Sequence, residues 1–270
     1  MITHKADPLY YFCLMQKLAL PIILLWRMWF YVTIFIAIVV LFPFIFITSL
    51  RSENYKAFFP YARYWAKIIL FLSGFWVKST WKFKPEKSKT YIVCANHTSM
   101  IDIMMTLALF KNSFLFIGKS SLAKFPLFGY FYKRTNILVD RTGLRSRAEA
   151  MDRAAEKLRA GIGVCIYPEG GIPDENVTLA RFKQGAFRLS VAEGVPIIPV
   201  SYPDNKRHFP YSPLKGGYPG RLRAIIHNEI VPEAQTPKEE ERLKELCYQM
   251  ILQPLQNQTP LSYESELIAE

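Results

Sequence analysis

The sequence has little of what builds metal sites and disulfide frameworks. Its four cysteines, Cys13, Cys94, Cys165 and Cys247, and its four histidines, His4, His97, His208 and His227, are scattered singly through 270 residues. No Cys/His set has the spacing of a zinc site, so neither a metal nor another cofactor is expected. Cys94 and Cys165 stand inside apolar strand patterns, where a thiol is expected to act as a small buried hydrophobe. The G-x-S-x-G motif is absent, which excludes a serine-hydrolase elbow. Gly118, Lys119 and Ser120 copy the end of a phosphate-binding loop, but Ser113 stands where that motif needs its first glycine. No repeat or low-complexity tract occurs, so solenoid and disordered classes drop out.

Acidic residues are scarce early in the chain. Residues 1–89 carry 12 Lys and Arg against 3 acidic residues, residues 233–270 carry 3 against 8, and the whole chain has a net charge of +12. A basic body beside an apolar segment points to anionic headgroups and to an acidic substrate or carrier. Nucleic acid is not expected, because the basic residues do not interleave with aromatics as in a recognition module.

What is abundant is apolar and aromatic. Between Arg27 and Arg51 lie 23 uncharged residues; as a helix over about 28–50 they extend about 35 Å, enough for a bilayer core of about 30 Å. Pro43 is expected to kink this helix, which also admits one that enters and turns back. A second apolar stretch, interrupted by Arg63 and Lys67 on one face, predicts an interfacial helix over about 58–74. Residues 1–74 thus read as a two-helix membrane anchor, residues 75–256 as the functional domain, and residues 257–270 as a polar acidic tail. Cations just after the apolar run favour a cytoplasmic face for the body, at the cell membrane.

Beyond the anchor, short apolar runs alternate with helical patterns. Strands are expected at 75–83, 91–95, 113–118, 136–140, 163–167, 195–200 and 222–231, and helices at 100–110, 144–160, 181–193 and 237–256. This order predicts an α/β fold with a largely parallel mixed sheet flanked by helices and its site at the strands' C-terminal ends. Gly161 and Gly194 stand where helix C-caps are expected.

One such strand, YIVCA, runs into Asn96 and His97, and Asp102 follows within the first turn of a helix. A carboxylate there can orient one imidazole nitrogen and leave the other to take a proton from a hydroxyl. An Asp at that place is equally an ordinary helix cap. Downstream, Glu169, Gly170 and Gly171 follow a core strand, and Arg181 and Lys183 open a helix with the character of an anion site.

Taken together, the blocks His97 to Asp102, Asn136 to Arg141, Tyr167 to Gly171 and Val195 to Val200, in that order behind an apolar anchor, resemble the 1-acylglycerol-3-phosphate acyltransferase family over roughly residues 75–232. The resemblance implies His97 as general base, oriented by Asp102, on the acceptor hydroxyl, which attacks an acyl thioester directly. It implies acyl-CoA or acyl carrier protein as donor and a lysolipid as acceptor, with Asn96, Lys119, Arg141, Glu169, Gly170, Gly171, Arg181 and Lys183 as substrate-binding residues. Backbone N–H groups near Asn96 and Gly170 are candidates for the oxyanion. In one respect the chain departs from the pattern: Gly171 and Ile172 follow Glu169 and Gly170 where the family has Thr-Arg. A phosphate-free lysolipid, such as a lyso-aminolipid, is therefore the rival acceptor, and a non-catalytic basic membrane-surface protein the rival class.

Overall fold

A computed structural model describes residues 8–49, 55–125 and 128–257; the expected tail lies, but for Asn257, outside them. Helix α1 (Pro8–Ser49) starts well before the expected position and runs through Pro21 and Pro43, so Pro43 does not end it. The stretch Leu20–Phe44 is, among the described residues, the one helix segment long and apolar enough to cross a membrane. Helix α2 (Tyr55–Leu72) differs in kind. Phe58, Phe59, Ala62, Trp65, Ala66, Ile69 and Leu70 form its buried face, which packs on α1 and on α3 (Ile101–Leu109). The expected pair of anchor helices is thus one apolar helix and one amphipathic helix that shares the core of the body. Phe59 alone is 2% exposed against Phe114, a burial that contributes about 2–3 kcal/mol.

The sheet contains β1 (Phe75–Trp81), β2 (Ile92–Ala95), β3 (Phe114–Lys119), β4 (Ile137–Val139), β5 (Gly163–Ile166), β6 (Ile197–Ser201) and β7 (Gly220–Ile226) in the order β1-β7-β6-β2-β5-β3-β4. Every neighbouring pair is parallel except β6 and β7. The expected fold class therefore holds. β2 and β5 are buried along their whole length, which is why they read as unbroken apolar runs.

Helices α4 (Phe128–Thr135), α5 (Leu144–Arg159), α6 (Gly185–Glu193), α7 (Asn205–His208) and α8 (Pro237–Gln256) complete the fold. α6 ends on Gly194 at φ +64°, a left-handed residue that glycine takes without strain. α8 opens on Thr236, whose side chain accepts the Glu239 N–H, with proline next in line. Three differences from expectation have local causes. α4 is short and holds a glycine, so periodicity hid it. α7 lies in the proline-rich segment between β6 and β7. α6 begins only at Gly185, so Arg181 and Lys183 precede the helix instead of opening it.

Candidate active site

His97 follows the C-terminal end of β2, at the centre of the sheet, where open α/β sheets place their ligands. Its Nδ1 lies 3.0 Å from Asp102 Oδ2. That same oxygen accepts the backbone N–H groups of Thr98 at 2.7 Å and Ser99 at 2.8 Å, and Oδ1 accepts Asn205 Nδ2–H at 2.7 Å. Asp102 is fully buried. It is not the N-cap of α3, a position Met100 holds without a side-chain hydrogen bond; it gathers the loop before the helix around itself. With Nδ1–H donating to Asp102, Nε2 carries the free lone pair.

The imidazole is also held by its face. Tyr167 stacks on it with centroids 4.1 Å apart and planes 18° apart. The Tyr167 hydroxyl meets Thr106 Oγ1 at 3.2 Å, and Thr106 in turn donates to the Asp102 backbone carbonyl at 2.7 Å. Burial pushes the phenols of Tyr167 and Tyr202 well above their ordinary range, so both stay neutral. Cys94 is fully buried beneath the site, and burial raises the thiols of Cys165 and Cys247; these are core side chains.

Glu169 takes an organising position. Its Oε1 accepts the His97 backbone N–H at 2.7 Å and its Oε2 the Ala180 N–H at 2.9 Å, tying three loops together. Burial raises its pKa, against the opposing pull of these two N–H donors. The Asn96 amide is likewise committed, donating to Tyr202 O at 3.1 Å and accepting Tyr202 N–H at 2.7 Å. Asn96 therefore ties the end of β2 to the end of β6. The Gly170 N–H closes a turn onto Tyr167 O at 3.0 Å, which removes it as an oxyanion donor.

The expected cations separate into two groups. Gly170 sits at φ +81°, and a Cβ there would collide with the end of the Lys183 side chain; a Cβ on Gly171 would lie 3.3 Å from Arg141 Nη1. Lys183 and Arg141 thus reach the Gly170–Gly171 turn from two sides. Neither has a carboxylate partner among the described residues. Lys119, exposed at the end of β3, acts on Asp140 instead and helps lower its carboxyl below the usual range, after the larger effect of the Thr142 hydrogen bonds. Arg181 is exposed, and among the described residues no hydrogen bond or ion pair ties it to the turn.

Sequence reasoning missed Asn205 and gave no role to Tyr167 or Thr106. Asn205 has no local signal, because it lies 103 residues from Asp102. Thr106 stands one helical turn after Asp102, a spacing that does signal contact. The segment holding Asn205 is fixed from outside the sheet as well. Arg27 of α1 donates to Pro210 O at 2.8 Å and Gly216 O at 3.0 Å and lies over the Phe209 ring, while Ser99 Oγ donates to Phe209 O at 2.5 Å.

Comparisons with known proteins agree with this geometry. Residues 77–203 match the family described as Acyltransferase. A chloroplast 1-acyl-sn-glycerol-3-phosphate acyltransferase of Arabidopsis thaliana is 29% identical over 147 residues, 54% of this chain and 41% of that protein. The 1-acyl-sn-glycerol-3-phosphate acyltransferase of Escherichia coli (strain K12) is 34% identical over 125 residues, 43% of this chain and 49% of that one. The matched region thus spans less than half the length of these relatives. The crystal structure of the 1-acyl-sn-glycerophosphate acyltransferase PlsC from Thermotoga maritima shares the fold, with a TM-score of 0.71 at 24% identity over 88% of this chain and 98% of that one. The His97–Asp102 pair lies inside the segment 77–203 that matches the Acyltransferase family.

Proposed function

We propose that the protein transfers a fatty acyl group from a thioester, acyl-CoA or acyl carrier protein, to the free hydroxyl of 1-acylglycerol-3-phosphate, giving phosphatidic acid. His97 Nε2 takes the hydroxyl proton as the oxygen attacks the thioester carbonyl, and Asp102 stabilises the imidazolium that forms. The carbon–sulfur bond then breaks, and the departing thiolate recovers the proton from His97. The Gly171 N–H, which forms no hydrogen bond among the described residues, is the backbone donor best suited to the oxyanion.

The observation that carries the choice of acceptor is the meeting of Arg141 and Lys183 at the Gly170–Gly171 turn. Two cations without carboxylate partners suit a phosphomonoester, and they supply the charge that Ile172 does not. The phosphate-free reading has no such support. Supplying purified protein with a labelled acyl donor and either lysophosphatidic acid or a lyso-aminolipid decides between them. Exclusive use of the phosphate-free lipid, or no His97-dependent thiol release with either, refutes the proposal.

Membrane attachment belongs to the same proposal. Ile22, Leu25, Met28, Val32, Phe35 and Val39 are exposed along α1, an apolar face that suits lipid. The catalytic body is assigned to the cytoplasmic side of the cell membrane, which protease accessibility in inverted against right-side-out vesicles tests.

A further inference from the structure

At the pole of the sheet opposite His97, the N-terminal ends of β2, β3 and β5 border a cavity of about 310 Å³. Its mouth carries five cations: Lys56 and Arg63 from α2, Lys87 and Lys89 from the segment before β2, and Lys111 from the segment after α3. Phe59, Val93 and Ile198 line it more deeply, and among the described residues no Asp or Glu lines it. Lys89 is paired with Glu229 at 3.0 Å. The other four have no carboxylate partner among the described residues.

Arg63 is the informative member. Its Nη2 donates weakly to Ala108 O at 3.4 Å, while its Nε is buried without a hydrogen-bond partner among the described residues. A guanidinium N–H held away from water in this way calls for an acceptor. Like charges around one void repel each other unless an anion sits among them. The apolar lining beneath the cations suits an amphiphile better than a fully hydrated ion. α2, which supplies two of the cations, packs along α1, whose outer face is the apolar one.

We propose that this cavity binds the phosphate headgroup of an anionic lipid, with Lys56, Arg63, Lys87 and Lys111 holding the phosphate oxygens and the adjoining apolar part of the lipid resting on Phe59. The site is separate from the acyl-transfer centre. Its occupant is a membrane component that ties α2 to the body of the protein.

The test uses the full chain in neutral detergent and reads the thermal midpoint against added ligand at matched ionic strength. The ligands are a short-chain phosphatidylglycerol, the corresponding phosphatidylcholine and inorganic phosphate. Phosphatidylglycerol raises the midpoint, and phosphatidylcholine, whose own cation meets the cluster, does not. Lys56 and Lys111 are exposed, so Lys56→Ala/Lys111→Ala leaves the fold intact; binding weakens by about a hundredfold, roughly tenfold for each lost charge-assisted contact. Arg145→Ala/Arg147→Ala removes the same charge from the exposed start of α5 and leaves binding unchanged. Equal weakening in both double variants, or none in the first, overturns the site. Inorganic phosphate binding as tightly as the lipid overturns the lipid assignment in favour of free phosphate. Because the readout is binding, these outcomes are independent of whether the acyl-transfer proposal holds.

Discussion

The isosteric change Asp102→Asn separates a catalytic carboxylate from a structural one. In that variant the remaining side-chain oxygen keeps the N–H groups of Thr98 and Ser99 and the Nδ1–H of His97. The new amide then faces Asn205, whose Oδ1 is buried without a partner among the described residues and can accept after a flip of its own amide. Folding is therefore expected to survive. What is lost is charge. A carboxylate and an imidazolium 3.0 Å apart attract by about 5 kcal/mol at an effective dielectric of about 20. About 5 kcal/mol on the barrier is close to four orders of magnitude in rate, which agrees with the roughly 10⁴-fold loss for the equivalent change in a Ser-His-Asp triad. The assay is single-turnover acyl transfer to lysophosphatidic acid, with circular dichroism and vesicle flotation to check fold and attachment. If Asp102 only organises its loop, Asn serves nearly as well, and a rate within about threefold of wild type, or about 0.7 kcal/mol, refutes the dyad.

Lys183→Ala is expected to raise the KM for lysophosphatidic acid by roughly tenfold or more, a lost charge-assisted contact, and to leave the KM for the thioester unchanged; a shift confined to the thioester refutes the phosphate assignment. Asn205→Asp, which sets a second carboxylate against Asp102 in place of an amide donor 2.7 Å away, is expected to cost more activity than Asn205→Ala, and the reverse order in steady-state kinetics counts against the Asn205 contact. Burial, with a smaller contribution from Lys82, lowers the pKa of His227 from 6.5 to about 4, and its Nε2 meets Ser201 Oγ at 2.8 Å. The unfolded state then takes up a proton first, so this stability is fully present above pH 6.5 and is lost as pH falls toward about 4. His227→Gln should flatten that limb of a denaturant-midpoint profile, and an unchanged slope refutes it.

The sequence by itself determined what short-range chemistry fixes. Strands buried on both faces announce themselves as apolar runs, as β2 and β5 do. Gly194 marks the end of α6 because only a left-handed residue closes that helix. His97 and Asp102 could be paired on paper because five residues of strand end and helix start leave few ways to arrange them. The tertiary structure alone decided which distant groups complete the pair. β6 lies beside β2, and the segment after β6 carries Asn205 to Asp102 across 103 residues; no local period encodes that meeting. Arg141, after β4, and Lys183, before α6, reach the same glycine turn for the same reason. The roles of Asn96 and Glu169 were equally hidden. A polar residue beside a candidate catalytic histidine reads as a ligand in sequence, and only the folded chain reveals the hydrogen bonds it makes to Tyr202, His97 and Ala180. Sequence records which groups can donate and accept, and the fold determines which of them are left free for a substrate.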